Sequence, residues 1–206
     1  MKRSLCLLAL VTWASATPAL AQYGDRHSYQ YWGGGFLSVG RGGSNSELLD
    51  PKLAVAGGYE AHFGGRSGPQ FGVRASGGYA RFDPDVEAYV DSVGAQSGSR
   101  RGGETTVYDT GADGLLGWRF GNLAVYGYWG LHYFRDTHRE MTLSTDAGDY
   151  EFTFRRRTDF GETKGYGVAL LTSGGQGLYA EWFSGGGYDE RMIRQEGVRF
   201  GFLWGW

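Results

Sequence analysis

The chain has 206 residues, including 38 glycines, 4 prolines and a single cysteine, and its 20 basic and 22 acidic residues give a net charge of −2. So even a balance argues against nucleic acid or any other single-sign polymer as the natural partner. One cysteine excludes a disulfide framework and a thiolate metal site; glycine without a collagen period and an aromatic content of 16% exclude a triple helix and a disordered chain.

Lys2 and Arg3 precede an apolar run from Leu5 to Ala16, and Ala19-Leu20-Ala21 makes a small-x-small step before Gln22. This predicts a cleaved secretory signal peptide over 1–21; the run is too short for the ~20 residues of a spanning helix. The remainder, 22–206, reads as a single domain. Cys6 falls in the signal, and removing Lys2 and Arg3 leaves 18 basic against 22 acidic residues, a net charge of −4.

Eight stretches then alternate with a period of two, the mark of strands with unlike faces. The first runs from Tyr31 to Gly40, with Leu37 and Val39 on one face. The second, Lys52 to Phe63, sets Leu53, Val55, Tyr59 and Phe63 against Glu60 and His62. The third, Gln70 to Phe82, sets Phe71, Val73 and Tyr79 against Arg74. The fourth, Thr105 to Phe120, sets Tyr108, Leu116, Trp118 and Phe120 against Asp109, Asp113 and Arg119. The fifth, Leu123 to Phe134, sets Val125, Trp129, Leu131 and Tyr133 against Tyr126, Tyr128 and His132. The sixth, Phe160 to Thr172, points Tyr166, Val168 and Leu170 outward; the seventh, Gly177 to Gly185, points Leu178, Ala180 and Trp182 outward and Glu181 inward. The last stretch carries Val198, Phe200, Phe202, Trp204 and Trp206 on one face, and Arg199, Gly201, Leu203 and Gly205 on the other.

The connections alternate in length. Gly64 to Pro69, Gly121-Asn122 and Ser173 to Gln176 are short turns, the second suited to a two-residue hairpin. Arg41 to Pro51, Asp83 to Glu104, Arg135 to Asp159 and Gly186 to Met192 are longer and polar. Within the third of these, Met141 to Thr145 and Tyr150 to Phe154 flank the turn Asp146 to Asp149, which predicts a protruding hairpin; Asp83 to Glu104 is expected to do likewise around Gly94 to Gly103. A soluble β-sandwich has no reason to sort its loops in this way. The expectation is an all-β fold: a closed antiparallel transmembrane β-barrel of eight strands, up-and-down, with short periplasmic turns and long extracellular loops. An even strand count puts both termini in the periplasm. Phe63, Phe71, Trp118, Phe120 and Trp204 would edge one membrane interface, with Tyr29, Tyr31, Trp32 and Trp206, and Tyr79, Tyr108, Tyr133, Tyr166 and Trp182 the other.

The signal peptide, the strand count, the loop asymmetry and the aromatic final strand together resemble the small eight-stranded outer-membrane barrels of the OmpA/OmpX type, over nearly the whole mature chain. The long hairpins are most like those of OmpX and the adhesion and invasion barrels. The resemblance implies that Phe200, Phe202, Trp204 and Trp206 form the signal read by the barrel-assembly machinery, although the family ends in Phe where this chain has Trp206. It also implies a monomer in contact with outer-membrane lipid and lipopolysaccharide.

Three sets of residues are candidates for chemistry. Glu60, Arg74, Asp109, Asp113, Arg119, Glu162, Lys164, Glu181 and Arg199 are assigned to the lumen, where opposite charges pair as a structural core or gate a narrow solute path. Arg155, Arg156 and Arg157, with Arg135, Arg139 and Lys164 nearby, offer bidentate contacts to lipopolysaccharide phosphates or an unknown extracellular ligand; pairing with the interleaved Asp136, Glu140, Asp149 and Glu151 is the alternative. A lipid A-modifying enzyme needs a histidine beside a serine. No His-x-Ser occurs, and Asp91-Ser92 has only the distant His27 or His138 as a base. No cofactor, metal site or catalytic residue is assigned. The sequence reading is a non-enzymatic outer-membrane barrel with a structural or adhesion-type role in its extracellular loops, ahead of a narrow channel and then a barrel enzyme.

Overall fold

The computed structural model describes residues 30–44, 46, 48–153, 155–172 and 176–205. The expected signal peptide, His27, Tyr29, Phe154 and Trp206 lie outside these residues. In chain order the elements are β1 (Gln30–Ser44), β2 (Leu49–Gly64), β3 (Ser67–Pro84), α1 (Val86–Ser92), β4 (Gly98–Gly102), β5 (Thr105–Phe120), β6 (Leu123–His138), β7 (Met141–Thr145), β8 (Gly148–Phe152), β9 (Arg157–Leu171), β10 (Gly177–Gly187) and β11 (Gln195–Gly205).

Eight strands close into a barrel in the order β1-β11-β10-β9-β6-β5-β3-β2, every neighbouring pair antiparallel. The closing seam runs from Gly34 opposite Gly205 to Ser44 opposite Gln195. Glycine is needed there: a Cβ on Gly34 would lie 2.8 Å from the Gly205 Cα. Closure leaves no open edge in the barrel.

Alternation sorts the side chains as the pleat requires. Leu116, Leu170, Leu178 and Phe200 are 61%, 60%, 64% and 65% exposed. A contiguous belt of such residues is stable against acyl chains and not against water. No helix among the described residues is long and apolar enough to cross a membrane.

Inside, the barrel is layered. Phe36, Ala124, Ala169, Leu171, Tyr179 and Leu203 fill the end with the short turns. Phe82, Val107, Phe134, Phe183, Met192 and Ile193 fill the end with the loops. Polar and charged side chains lie between.

The loop end departs from the sequence expectation in two places. β1 and β2 run on into the first connection, so only residues 45–48 join them, and the shift between Pro51 and Leu53 absorbs the extra residue. The expected hairpin in Asp83 to Glu104 is absent. That segment forms α1 and then β4, which pairs with β7 rather than with its own neighbour. β7 also pairs with β8, and the result is a separate three-stranded sheet, β4-β7-β8.

This sheet and α1 make a cap with its own core. Tyr89, Val90, Met141 and Leu143 are buried together, flanked by Leu48, Val86, Val93, Ala95, Tyr150 and Phe152. Asp85 starts the helix by accepting from the Ala88 N–H at 3.2 Å, and Gly94, at φ +71°, allows the chain to turn out of it. Asp146 ties the β7–β8 turn to the segment after α1 by accepting from the amides of Gln96 and Ser97 at 3.1 and 3.3 Å.

Candidate functional site

The lumen holds two polar clusters. In the first, the strand register sets Glu60 opposite Arg74 and Glu181 opposite Arg199. Arg74 Nε donates to Glu60 at 3.0 Å, and its Nη1 reaches across the barrel to Glu181 at 3.2 Å. Arg199 Nε also donates to Glu181. Tyr126 donates its hydroxyl to Glu181 at 2.9 Å, and His62 meets Glu60 at 3.0 Å. The Arg74 guanidinium lies over the rings of Phe36 and Tyr128, 4.7 and 4.9 Å from their centroids. Two arginines face two glutamates, so the cluster balances its own charge at the site where isolated charge costs most.

In the second cluster, nearer the loops, His132 Nδ1 is 2.8 Å from Asp109 and Nε2 is 3.3 Å from Asp113. Thr163 donates to Asp113. The internal space is small. A cavity of about 30 Å³ lies against Asp109, Asp113, His132 and Thr163, and one of about 20 Å³ lies against Glu60, His62, Gln70 and Leu203. Each has room for about one or two waters.

The other residues assigned to the lumen lie elsewhere. Arg119 folds back at the turn end, donating to the Gly121 carbonyl at 2.7 Å, and does not join the central cluster. Glu162 and Lys164 are not in the lumen at all. They share the outward face of β9 with Tyr166 and Val168, where Glu162 accepts from the Trp129 indole at 3.3 Å and Lys164 is exposed. The physical reason is the pleat: residues an even number apart share a face, so an outward Tyr166 requires an outward Lys164.

The arginine run is split where β9 begins: Arg155 and Arg156 precede the strand and are exposed, while Arg157 opens it and donates to the Arg191 carbonyl of the β10–β11 connection. That connection is gripped a second time: Asp136 accepts from the Ile193 N–H at 3.0 Å. Met192 and Ile193 thereby sit in the mouth of the barrel as part of its apolar layer. Asp136 lies beyond Tyr133, on the loop-end extension of β6. Burial pushes its carboxyl up to about 6, against the opposing pull of the Ile193 N–H and Arg157. His138 on the same extension is lowered by burial and by Arg157, and its Nδ1 is 2.9 Å from Thr105 Oγ1.

Ser92 donates its hydroxyl to the Tyr89 carbonyl at 2.7 Å, within its own helix. His138 is engaged with Thr105, so the structure does not bring these two together. Two features escaped the sequence reading. Tyr126 and Tyr128 are ligands of the central charge cluster, signalled only by their inward phase. α1 was signalled by Asp85 as a cap, with Val86, Tyr89, Val90 and Val93 at helical spacing.

No family model and no curated protein matches the chain. Solved structures do. The Ail attachment invasion locus protein of Yersinia pestis is 14% identical, the match covering 88% of this chain and all of Ail, with a TM-score of 0.42. Neisserial surface protein A is 13% identical over 86% of this chain and 98% of its own, with a TM-score of 0.45. The N-terminal β-barrel domain of Pseudomonas aeruginosa OprF is 14% identical over 84% and 99%, with a TM-score of 0.36. At such scores the likeness carries no weight of its own; the barrel stands on its strand pairing.

Proposed function

We propose that this is an integral outer-membrane β-barrel, exported by a signal peptide over 1–21, with both termini in the periplasm and a non-enzymatic role carried by its extracellular end. One observation carries the reading: a folded cap, α1 with β4-β7-β8, stands over a barrel filled at both ends by apolar side chains. A chain that conducts has no use for the apolar layers. A chain that displays a surface needs a rigid mount, and the layered barrel supplies one.

In this reading the exposed sheet face of the cap, with Ser99, Arg101, Ser144, Asp149 and Glu151 around the half-buried Thr142, meets envelope or host components, and Arg155 and Arg156 contribute contacts to lipopolysaccharide or a soluble anionic partner. Phe200, Phe202, Trp204 and Trp206 address the chain to the barrel-assembly machinery; the first two are outward and exposed, in keeping with a signal that must be read on the lipid face. The barrel acts as a monomer.

The test is cell binding. The full protein is displayed on cells beside a form in which short Gly-Ser turns replace 86–102 and 141–152. Attachment to host cells or matrix that disappears with the cap supports the reading. Equal attachment of the two forms, with both barrels folded, overturns it. Sucrose octasulfate, the heparin analogue bound in a solved Ail structure, serves as a soluble competitor.

A further inference from the structure

Lys164, placed by the pleat on the outer face of β9, is an unpaired charge inside the apolar belt. The strand register puts Ser184 of β10 between Lys164 of β9 and Glu196 of β11, all three on the outward face. Lys164 and Glu196 are exposed, and neither has an ion pair among the described residues. Glu162, which shares a face with Lys164, is engaged by the Trp129 indole at 3.3 Å and by Arg194 at 3.8 Å.

The register also fixes the heights of these residues. The row of hydrogen-bonded partners that leaves β3 at Gln70 climbs round the barrel and returns to β3 at Ala80, ten residues nearer the loops. Over eight strands such a stagger tilts the strands by ~40° and lifts the row by ~3 Å at each strand. Lys164 then lies ~6–9 Å on the turn side of Tyr79, Tyr108 and Tyr133, and Glu196 stands ~6 Å nearer the loops than Lys164. The belt does not simply end early on β9. Phe160, beyond Lys164 and Glu162 on the same face, is 64% exposed and packs edge-on against Tyr133 at 5.5 Å. Lys164 therefore sits below the ring of tyrosines that edges the hydrocarbon, where a bare cation is unfavourable.

A second copy of the chain supplies the missing partner. Two barrels in one membrane share an orientation, so a two-fold axis relating them runs along the membrane normal. With that axis against Ser184, β9 of each copy faces β11 of the other. Lys164 then faces the second copy's Glu196, and the same pair recurs on the other side of the axis. A lysine chain extended towards the loops spans the difference in height. Ser184 is small and permits close approach at the axis. The strip beneath the charges, Tyr166, Trp182 and Val198, is apolar and is buried with them in the pair. The opposite wall of the barrel offers no such match: between Phe71 and Tyr79 the outward residues of β3 are Val73, Ala75 and Gly77, without a charge.

We propose that the outward face of β9, β10 and β11 is the contact between two copies of this chain in the membrane, Lys164 of each pairing with Glu196 of the other. The order of the charges across Ser184 selects this occupant, because the operation that carries one copy onto the other sets each cation against an anion. The monomer is sufficient for the role proposed above; the pair is a further state of the same barrel that sets two caps side by side. The inference rests on the membrane reading of that proposal.

Residues 22–206 contain no cysteine, so a single introduced thiol reports the contact. The mature chain carrying Ser184→Cys is refolded into phospholipid vesicles at a high lipid excess and oxidised, and covalent dimer is read on gels without reductant. Ala75→Cys, outward on β3 across the barrel, is the control. The expected result is dimer from Ser184→Cys and little from Ala75→Cys. In the Ser184→Cys background, Lys164→Glu or Glu196→Lys lowers the dimer about tenfold, since each sets like charges face to face, and Lys164→Glu/Glu196→Lys together restore it. Heat-modifiable migration checks that each barrel is folded. Lys164→Gln and Glu196→Gln, which lower the yield without adding a like charge, replace any reversal that does not fold. Equal dimer from the two cysteines, an unchanged yield in the single variants, or no recovery in the double exchange overturns the contact. Failure of the wild type to enter the bilayer at all would instead overturn the membrane reading beneath it.

Discussion

The lumen and the cap bury their side chains by opposite chemistry. The lumen centres on charge: Arg74 is 1% exposed and held between Glu60 and Glu181. The cap centres on Met141 and Leu143, 1% and 0% exposed, with no charge among its core residues. In water, an apolar core forms by itself. Within a bilayer the outside of the barrel is already apolar, so the hydrophobic effect does little to tell inside from outside, and a self-compensating ionic centre specifies which face turns in. In the function proposed above, the lumen serves the fold and the cap is free to vary its exposed face.

The largest expected effect comes from breaking the ionic side of this contrast. Arg74→Met leaves Glu60 and Glu181 buried with too little positive charge, at a cost of about 3–5 kcal/mol. Urea titration in detergent micelles reads it as an early loss of the heat-resistant folded band. Should the variant match the wild type, the charge pairing would not be what holds the barrel.

Breaking the apolar side stays local. Leu143→Ala costs the cap about 2–4 kcal/mol, so limited proteolysis cleaves within 86–104 or 139–156 while the barrel band persists. Loss of both together would mean that cap and barrel fold as one unit.

The join between the two regions responds to pH. The folded Asp136 carboxyl is raised to about 6, above the ~3.9 of an unfolded chain. A raised acid contributes stability that is complete below the unfolded value and is lost as pH rises through the folded one. The buried mouth around Asp136 and Ile193 therefore loses stability and opens more readily between about pH 4 and pH 6, by roughly 1–3 kcal/mol, because desolvation of the ionised carboxylate outweighs its stronger bond to the Ile193 N–H. His138, lowered by burial, acts in the opposite sense: its contribution is present above its unfolded value and is lost as pH falls through the folded one. Exchange of the Ile193 amide, compared with Asp136→Asn, separates the two. The wild type exchanges faster as pH rises from 4 to 7, after correction for intrinsic exchange, and the variant shows no such trend.

The smallest effect belongs to a turn that neither region uses. Gly121 sits at φ +63°, where a Cβ is disfavoured, so Gly121→Ala costs about 1 kcal/mol. The urea midpoint falls slightly while cap proteolysis is unchanged.

The barrel was legible in the sequence because its signal is local. Leu116, Trp118 and Phe120 announce one face without knowledge of the partner strand, and the short turn at Gly121-Asn122 fixes the next register. Charged residues at strand ends were harder. Glu162 and Lys164 look like lumen residues by type, and only the phase set by Tyr166 places them outside. Arg119 has the inward phase, but alternation gives a face and not a depth, so its withdrawal to the turn end was hidden. The cap was half visible. β7 and β8 form a hairpin with a nearby turn, whereas β4 joins them across a long stretch of chain, and such a pairing leaves no periodic mark. The union of Glu60, Arg74 and Glu181 likewise depends on a closed ring that brings β2, β3 and β10 around a common centre.

The proposed function requires a sealed lumen, with the work done outside it. Single-channel recording in planar bilayers tests this most directly. The full protein, inserted and folded, is expected to give no resolved open steps at voltages where a porin control conducts. Reproducible steps that change in size when Arg74 or Asp113 is neutralised would contradict it.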